Sequence, residues 1–252
     1  MLILGIESAA KVAGAALYEN GRIIAEQMVN GALTHSETLM PMIEAVFQAA
    51  DRRPEDLDYI ALTNGPGSFT GLRIGAATAK GLALGLRIPL IPVCTFESLA
   101  FAAGFHHMLC VPIMDARRGQ VYGAVYEDGK ALLEPQAISP AELAEELIKL
   151  GRPCLFMGDA ADLYREQFAA ALQENYYLAP AHLKDLRAAS VAALAAEMLA
   201  SGQTQGIPSH ELEIDYLRKP QAEREREAKL AAEALPQAER EREAKLAAEA
   251  NN

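Results

Sequence analysis

The chain carries the same hairpin twice, and this repeat limits the folds open to it more than any other feature. Tyr18-Glu-Asn-Gly-Arg22 is matched 108 positions later by Tyr126-Glu-Asp-Gly-Lys130, with Ile24 opposite Leu132 and Glu26 opposite Glu134. Asn-Gly and Asp-Gly are the two-residue turns that join twisted antiparallel strands, because both central residues must take positive φ. One such match follows from turn chemistry alone. The same gap-free offset, however, also sets Glu7 opposite Asp115, each at the end of an apolar run. Register kept that far back points to a duplicated unit.

Apolar runs at 2–7 and 12–18, followed by the Asn-Gly turn and residues 22–29, predict three antiparallel strands. Thr34 and Glu37 have capping-box spacing ahead of Leu39, Ile43, Val46, Phe47 and Ala50, which predicts a helix over 34–50 that Pro41 should bend or shorten. A buried strand at 59–63, a Gly/Pro turn, a helix over 69–86 and a strand at 88–91 complete the order βββαβαβ. After the second hairpin the pattern gives helices near 140–150, 159–173 and 187–201 and a strand at 154–157, so that unit reads as more helical. A duplicated ribonuclease-H-like βββαβα unit with an acidic residue closing each first strand resembles the actin-like ATPase (ASKHA) superfamily. In that superfamily the two hairpins hold a nucleotide's phosphates and metal between the halves. The resemblance divides the chain into subdomains at 1–105 and 106–218, with a tail at 219–252. Within the tail, Pro220–Ala234 recurs identically at 236–250. It is rich in helix formers but poor in apolar surface, and reads as a solvated helical tail.

With 252 residues, 51% of them hydrophobic, the chain can bury a sizeable core. A net charge of −11 opposes a polyanion, so any contact with RNA is expected only through a partner. Cys94, Cys110 and Cys154 lie in apolar runs without CxxC spacing and read as buried thiols of a reducing compartment. The opening apolar run is too short for a membrane span, and Lys80 and Arg87 interrupt the longest later one. A cytoplasmic protein with no membrane segment is expected.

The loops Glu7–Lys11 and Asp115–Gly119 occupy the phosphate-binding places of the superfamily, yet the first has no glycine and the second only one. Close approach of backbone N–H groups to phosphate favours glycine. Glu7, Ser8, Asp115 and Arg117 are thus the candidates for holding ATP or ADP with Mg²⁺, against a plain reading as turn residues. The stretch 64–73, NGPGSFTGLR, offers either an anion site at a helix start or a strand-to-helix connection capped by Ser68. The five histidines form no HxxxH or HExxH pair and no serine sits in GxSxG, so neither metal nor serine hydrolase chemistry is supported. His35 reads as a helix-start or contact residue.

The helix over 69–86 carries polar Arg73 and Lys80, with Arg87 just beyond, in one stripe at intervals of seven. Gly71, Gly75, Ala79 and Ala83 lie on one ridge and Ala77, Gly81 and Gly85 on another. Interior glycines cost about 0.5–1 kcal/mol each, which close packing must recover. Periodicity leaves open whether the second cover is the chain's own preceding helix or another protein.

The set GIES, HSETLMP, NGPGSFTGLRIGAATAKGLALGL, PVCTFESL, DARRGQVY and YLRKPQAERE closely resembles the TsaB (YeaZ) family, with GIES where the family has GIDTS. The resemblance implies a non-catalytic subunit needed to form threonylcarbamoyladenosine beside the anticodon of tRNAs that read codons beginning with adenine. It implies pairing with a TsaD-like catalytic subunit, to which a TsaE-like ATPase is added, and leaves open a homodimer or a monomer when alone. Any nucleotide would sit at the partner boundary. Family members pair through two N-terminal helices, matching 35–47 and 69–85 here. The interface candidates are therefore His35, Leu39, Ile43, Phe47, Gly71, Leu72, Gly75, Ala76, Ala79 and Ala83. The competing readings are a Mg/ATP-dependent small-molecule kinase, which needs the missing glycine-rich loops, and a peptidase, which needs a metal pair or nucleophile.

Overall fold

The computed structural model describes residues 1–31, 33–104 and 107–218. The tail expected at 219–252 lies outside them. Residues 1–217 form one compact unit. Strands β1 (Leu2–Glu7), β2 (Ala13–Glu19) and β3 (Arg22–Val29) form the expected antiparallel start. Helix α1 (His35–Ala50) follows, then β4 (Tyr59–Gly65), α2 (Phe69–Leu86), β5 (Leu90–Cys94) and α3 (Thr95–Ala103). The first sheet has the order β3-β2-β1-β4-β5, with β4 and β5 parallel to β1.

The second half begins with β6 (Leu109–Asp115), β7 (Val121–Glu127) and β8 (Lys130–Ile138), so the 108-residue offset superposes β2 on β7 end to end. After α4 (Pro140–Leu150) and β9 (Cys154–Met157), the helix expected over 159–173 is split into α5 (Ala160–Leu163) and α6 (Arg165–Leu172). The break falls at Tyr164, whose φ and ψ of −107° and 14° leave the helical region. A three-residue strand that the sequence reading passed over, β10 (Tyr176–Leu178), completes a second sheet of order β10-β9-β6-β7-β8. This is the first sheet's order again, counted within its own half. The short helix α7 (Ala181–Lys184) and the longer α8 (Ala188–Ala200) follow.

Alternation along β1 decides what covers each side of the first sheet. Leu4 and Ile6 pack with Ile60 and Leu62 under α1 and α2, whereas Ile3 and Ala61 pack with Val191, Ala192 and Ala195 of α8. The last helix of the second half is therefore a layer of the first. Gly5 permits this approach, since a Cβ there would stand 2.3 Å from the Ala188 carbonyl oxygen. Glu26 of β3 fixes the start of α8 by accepting from the Arg187 guanidinium and from the Ala189 N–H. Helix α3 fills the seam, with Phe96, Leu99 and Ala100 against Cys110, Met114 and Tyr126 of the second sheet. Pro41 lies inside α1 on its exposed side without shortening it, and Glu37 caps the helix by accepting from the Thr34 N–H at 2.9 Å. Among the described residues, no helix is long and apolar enough to cross a membrane.

Candidate functional site

Glu7 closes β1 on the α8 side of the sheet and is 0% exposed. Its Oε1 accepts from the Ala9 N–H at 2.6 Å, while Oε2 has no hydrogen-bond partner. Burial pushes the carboxyl up to about 7, partly offset by the Ala9 N–H, the Thr63 hydroxyl and the Ser8 N–H. The Thr63 hydroxyl is near enough to lower the value yet completes no well-formed bond with Glu7. Ser8 is also buried, and its Oγ donates to the Gly71 carbonyl at 3.0 Å. Helix α2 rests directly on this loop: a Cβ at Gly71 would stand 2.1 Å from the Ser8 carbonyl oxygen, and one at Gly75 2.1 Å from Ser8 Oγ. From the other helix, His35 Nε2 donates to the Ala10 carbonyl at 2.8 Å. The loop expected to cradle phosphate is thus gripped by α1 and α2, and Glu7 and Ser8 face the interior.

The counterpart loop is open. Asp115 and Arg117 are exposed, and Asp115 Oδ1 accepts from the Arg117 N–H at 2.8 Å. Arg117, Arg118 and Gly119 take φ of 60°, 55° and 71°, a left-handed run that turns the chain into β7. Between the two loops lies a cavity of about 30 Å³, bounded in part by Lys11, Met114, Asp159 and Asp185. Sequence reading missed Asp159, which follows Gly158 at the end of β9. Its Oδ1 accepts from the Asp115 N–H at 3.2 Å, and burial raises its pKa. Ligand pockets span about 300 Å³ or more, so the cleft as built does not fit a nucleotide with its metal. Among the described residues, no group of three or more His, Cys, Asp and Glu is placed to hold a metal ion.

Helices α1 and α2 present a different kind of surface. Of the ten interface candidates, only His35 is less than fully buried. Leu39, Ile43, Phe47, Ala76, Ala79 and Ala83 pack on the first sheet, Leu72 joins the seam around Phe96, and Gly71 and Gly75 meet Ser8. Those nine residues belong to the chain's own core, and the outward surface of the same helices carries their neighbours. On α2 it consists of Arg73, Ala77, Gly81, Leu84 and Gly85, all exposed, with Leu84 at 74%. Among the described residues, a Cβ at Gly81 or Gly85 would meet nothing within 4 Å. On α1 it includes Met40, with Glu37, Glu44 and, at the C-cap, Asp51 in a row at intervals of seven. Arg73, half-buried Lys80 and Arg87 form the matching basic row on α2.

Comparison with known proteins follows this architecture. The family model for TsaD, tRNA N6-adenosine threonylcarbamoyltransferase, matches residues 28–226. The tRNA threonylcarbamoyladenosine biosynthesis protein TsaB of Bacillus subtilis is 35% identical over 88% of this chain and 96% of its own length. The protein of the same name from Escherichia coli is 29% identical over 86% of this chain and 95% of its own length. The solved structure of YeaZ from Pseudomonas aeruginosa has a TM-score of 0.67 at 22% identity, covering 85% of this chain and 99% of that one, and shows the shared fold. The chain belongs to the TsaB (YeaZ) family of tRNA threonylcarbamoyladenosine biosynthesis proteins.

Proposed function

We propose that the chain is a non-catalytic subunit of the machinery that forms threonylcarbamoyladenosine in tRNA, and that it works by offering the outer face of α1 and α2 to a TsaD-like catalytic subunit. The observation that carries this reading is the bare face of α2. Gly81 and Gly85 each cost about 0.5–1 kcal/mol in a helix interior, and among the described residues no contact uses their missing Cβ. A helix packed closely on that face would use it. The acidic row of α1 and the basic row of α2 also make the face self-complementary, since a two-fold axis would bring each row onto the other copy's opposite. The chain alone accordingly pairs with a second copy, and the partner displaces it. A TsaE-like ATPase joins the assembled pair. ATP or ADP with Mg²⁺ binds at the partner boundary, because the internal cleft is too small to hold it. The net charge of −11 leaves tRNA to be held by the complex.

The test is size-exclusion chromatography of the chain with the TsaD-like subunit from the same cell. Ala77→Glu adds a charge to the open face, so the chain should stay folded and lose association. Ala79→Glu buries an unpaired charge and should unfold. Retention of the complex by a folded Ala77→Glu chain would overturn the assignment of this face. The isolated chain should also hydrolyse ATP no faster than buffer with Mg²⁺. Turnover that Asp115→Ala abolishes would revive the kinase reading.

A further inference from the structure

A three-residue cluster at the head of α2 adds a specific anchor to this surface. The guanidinium carbon of Arg73 lies 3.8 Å over the centroid of the Phe69 ring. Its Nε–H donates to the Tyr216 hydroxyl at 3.1 Å, and the Tyr216 and Phe69 rings meet at 5.2 Å between centroids. Tyr216 is delivered from far along the chain by a strap along the β5 edge of the first sheet. Ile207 exchanges backbone hydrogen bonds with Leu90, Leu212 is buried in the core, and the Asp215 N–H donates to the Asn64 carbonyl at 2.8 Å. Gly65, at φ 139°, lets the strap approach, since a Cβ there would stand 2.1 Å from the Asp215 carbonyl oxygen. One face and one N–H of the guanidinium are therefore committed. Among the described residues, its two Nη atoms make no ion pair and no hydrogen bond. That free edge matches the two oxygens of a carboxylate or phosphate, and an arginine already held in place loses little freedom on meeting them.

We propose that Arg73 is a preset anchor for a carboxylate side chain of the partner protein, with Phe69 and Tyr216 as its positioning residues. The inference rests on reading the α1/α2 face as the partner surface. Arg73 borders Ala77, Gly81 and Leu84, a face shaped for a closely laid helix. Glu37 and Glu44 on the neighbouring helix deny it the extended positive field that a nucleic-acid backbone requires. A carboxylate on a partner helix meets both conditions.

The experiment is titration calorimetry of the full chain against the TsaD-like subunit at low and high salt. Arg73→Ala is expected to weaken Kd about 10- to 100-fold and to flatten its salt dependence. Arg73→Lys keeps the charge without the forked edge and should recover only part of the loss. Tyr216→Phe should weaken Kd about threefold beside Arg73 and add nothing in the Arg73→Ala background. Thermal midpoints of all three should stay within about 2 °C of the parent. A Kd for Arg73→Ala within twofold of the parent overturns the anchor, as does an equal loss from Tyr216→Phe in both backgrounds. A defect that appears only when tRNA is added would assign the edge to phosphate instead. Absence of any complex with the unaltered chain would refute the proposed function itself, and is distinguishable from these outcomes.

Discussion

At Glu7 a carboxylate sits where the strand's alternation turns it away from solvent, and the covering layer arrives from elsewhere in the chain. Its folded pKa, about 7 against an ordinary 4.5, means that folding favours the protonated form. That contribution to stability is complete below pH 4.5 and is lost as pH rises through about 7, at a cost of order 3 kcal/mol by the top of the range. Thermal midpoints measured across this window should fall more steeply for the parent chain than for Glu7→Gln, with the variant the more stable of the two at pH 8. Equal slopes would show that Glu7 is ionised and solvated. The glycines beneath α2 give a second residue-scale test. Gly75→Ala would drive a Cβ into Ser8 Oγ and should destabilise by roughly 1–3 kcal/mol. The sequence marked Glu7, Ser8 and Gly75 as special, but as ligands and as helix-packing positions. What it lacked was the identity of the atoms they touch.

Helix α2 divides its glycines between two tasks. Gly71 and Gly75 are needed for the chain's own packing, whereas Gly81 and Gly85 face outward with free space around them. Gly81→Ala and Gly85→Ala should therefore each raise stability by about 0.5–1 kcal/mol, or roughly 1–4 °C in the midpoint of a chain this size. Each should also weaken association, because a methyl group enters the surface at which a partner helix must approach. A stabilised variant that binds normally would show that these glycines serve no close contact. The bounds of α2, 69–86, were legible from the Ser68 cap and the composition, since a helix is set by bonds between residues four apart. Its orientation was not. Both ridges consist of Gly and Ala, so no hydrophobic contrast told the buried one from the open one.

Across the whole molecule the two halves repeat one strand order, and the chain then departs from simple duplication by giving α8 to the first sheet. The Arg187–Glu26 pair holds that crossing, with the Glu26 side chain only 13% exposed. Arg187→Ala leaves this carboxylate without its cation and should lower stability by about 1–3 kcal/mol, read as a fall of several degrees in the midpoint at neutral pH. An unchanged midpoint would show that α8 is fixed by packing alone. The sequence by itself determined the duplicated hairpins, the register between the halves and the ends of α1, α2, α4 and α8, because turns, caps and ladders between consecutive strands bond residues close along the chain. Only the tertiary structure decided that Glu7 is sealed, that a small cavity lies between the two hairpin loops and that Ala77 rather than Ala79 faces outward. Each of these depends on a surface contributed by a distant segment, and periodicity within an element records that a face is covered without recording by what.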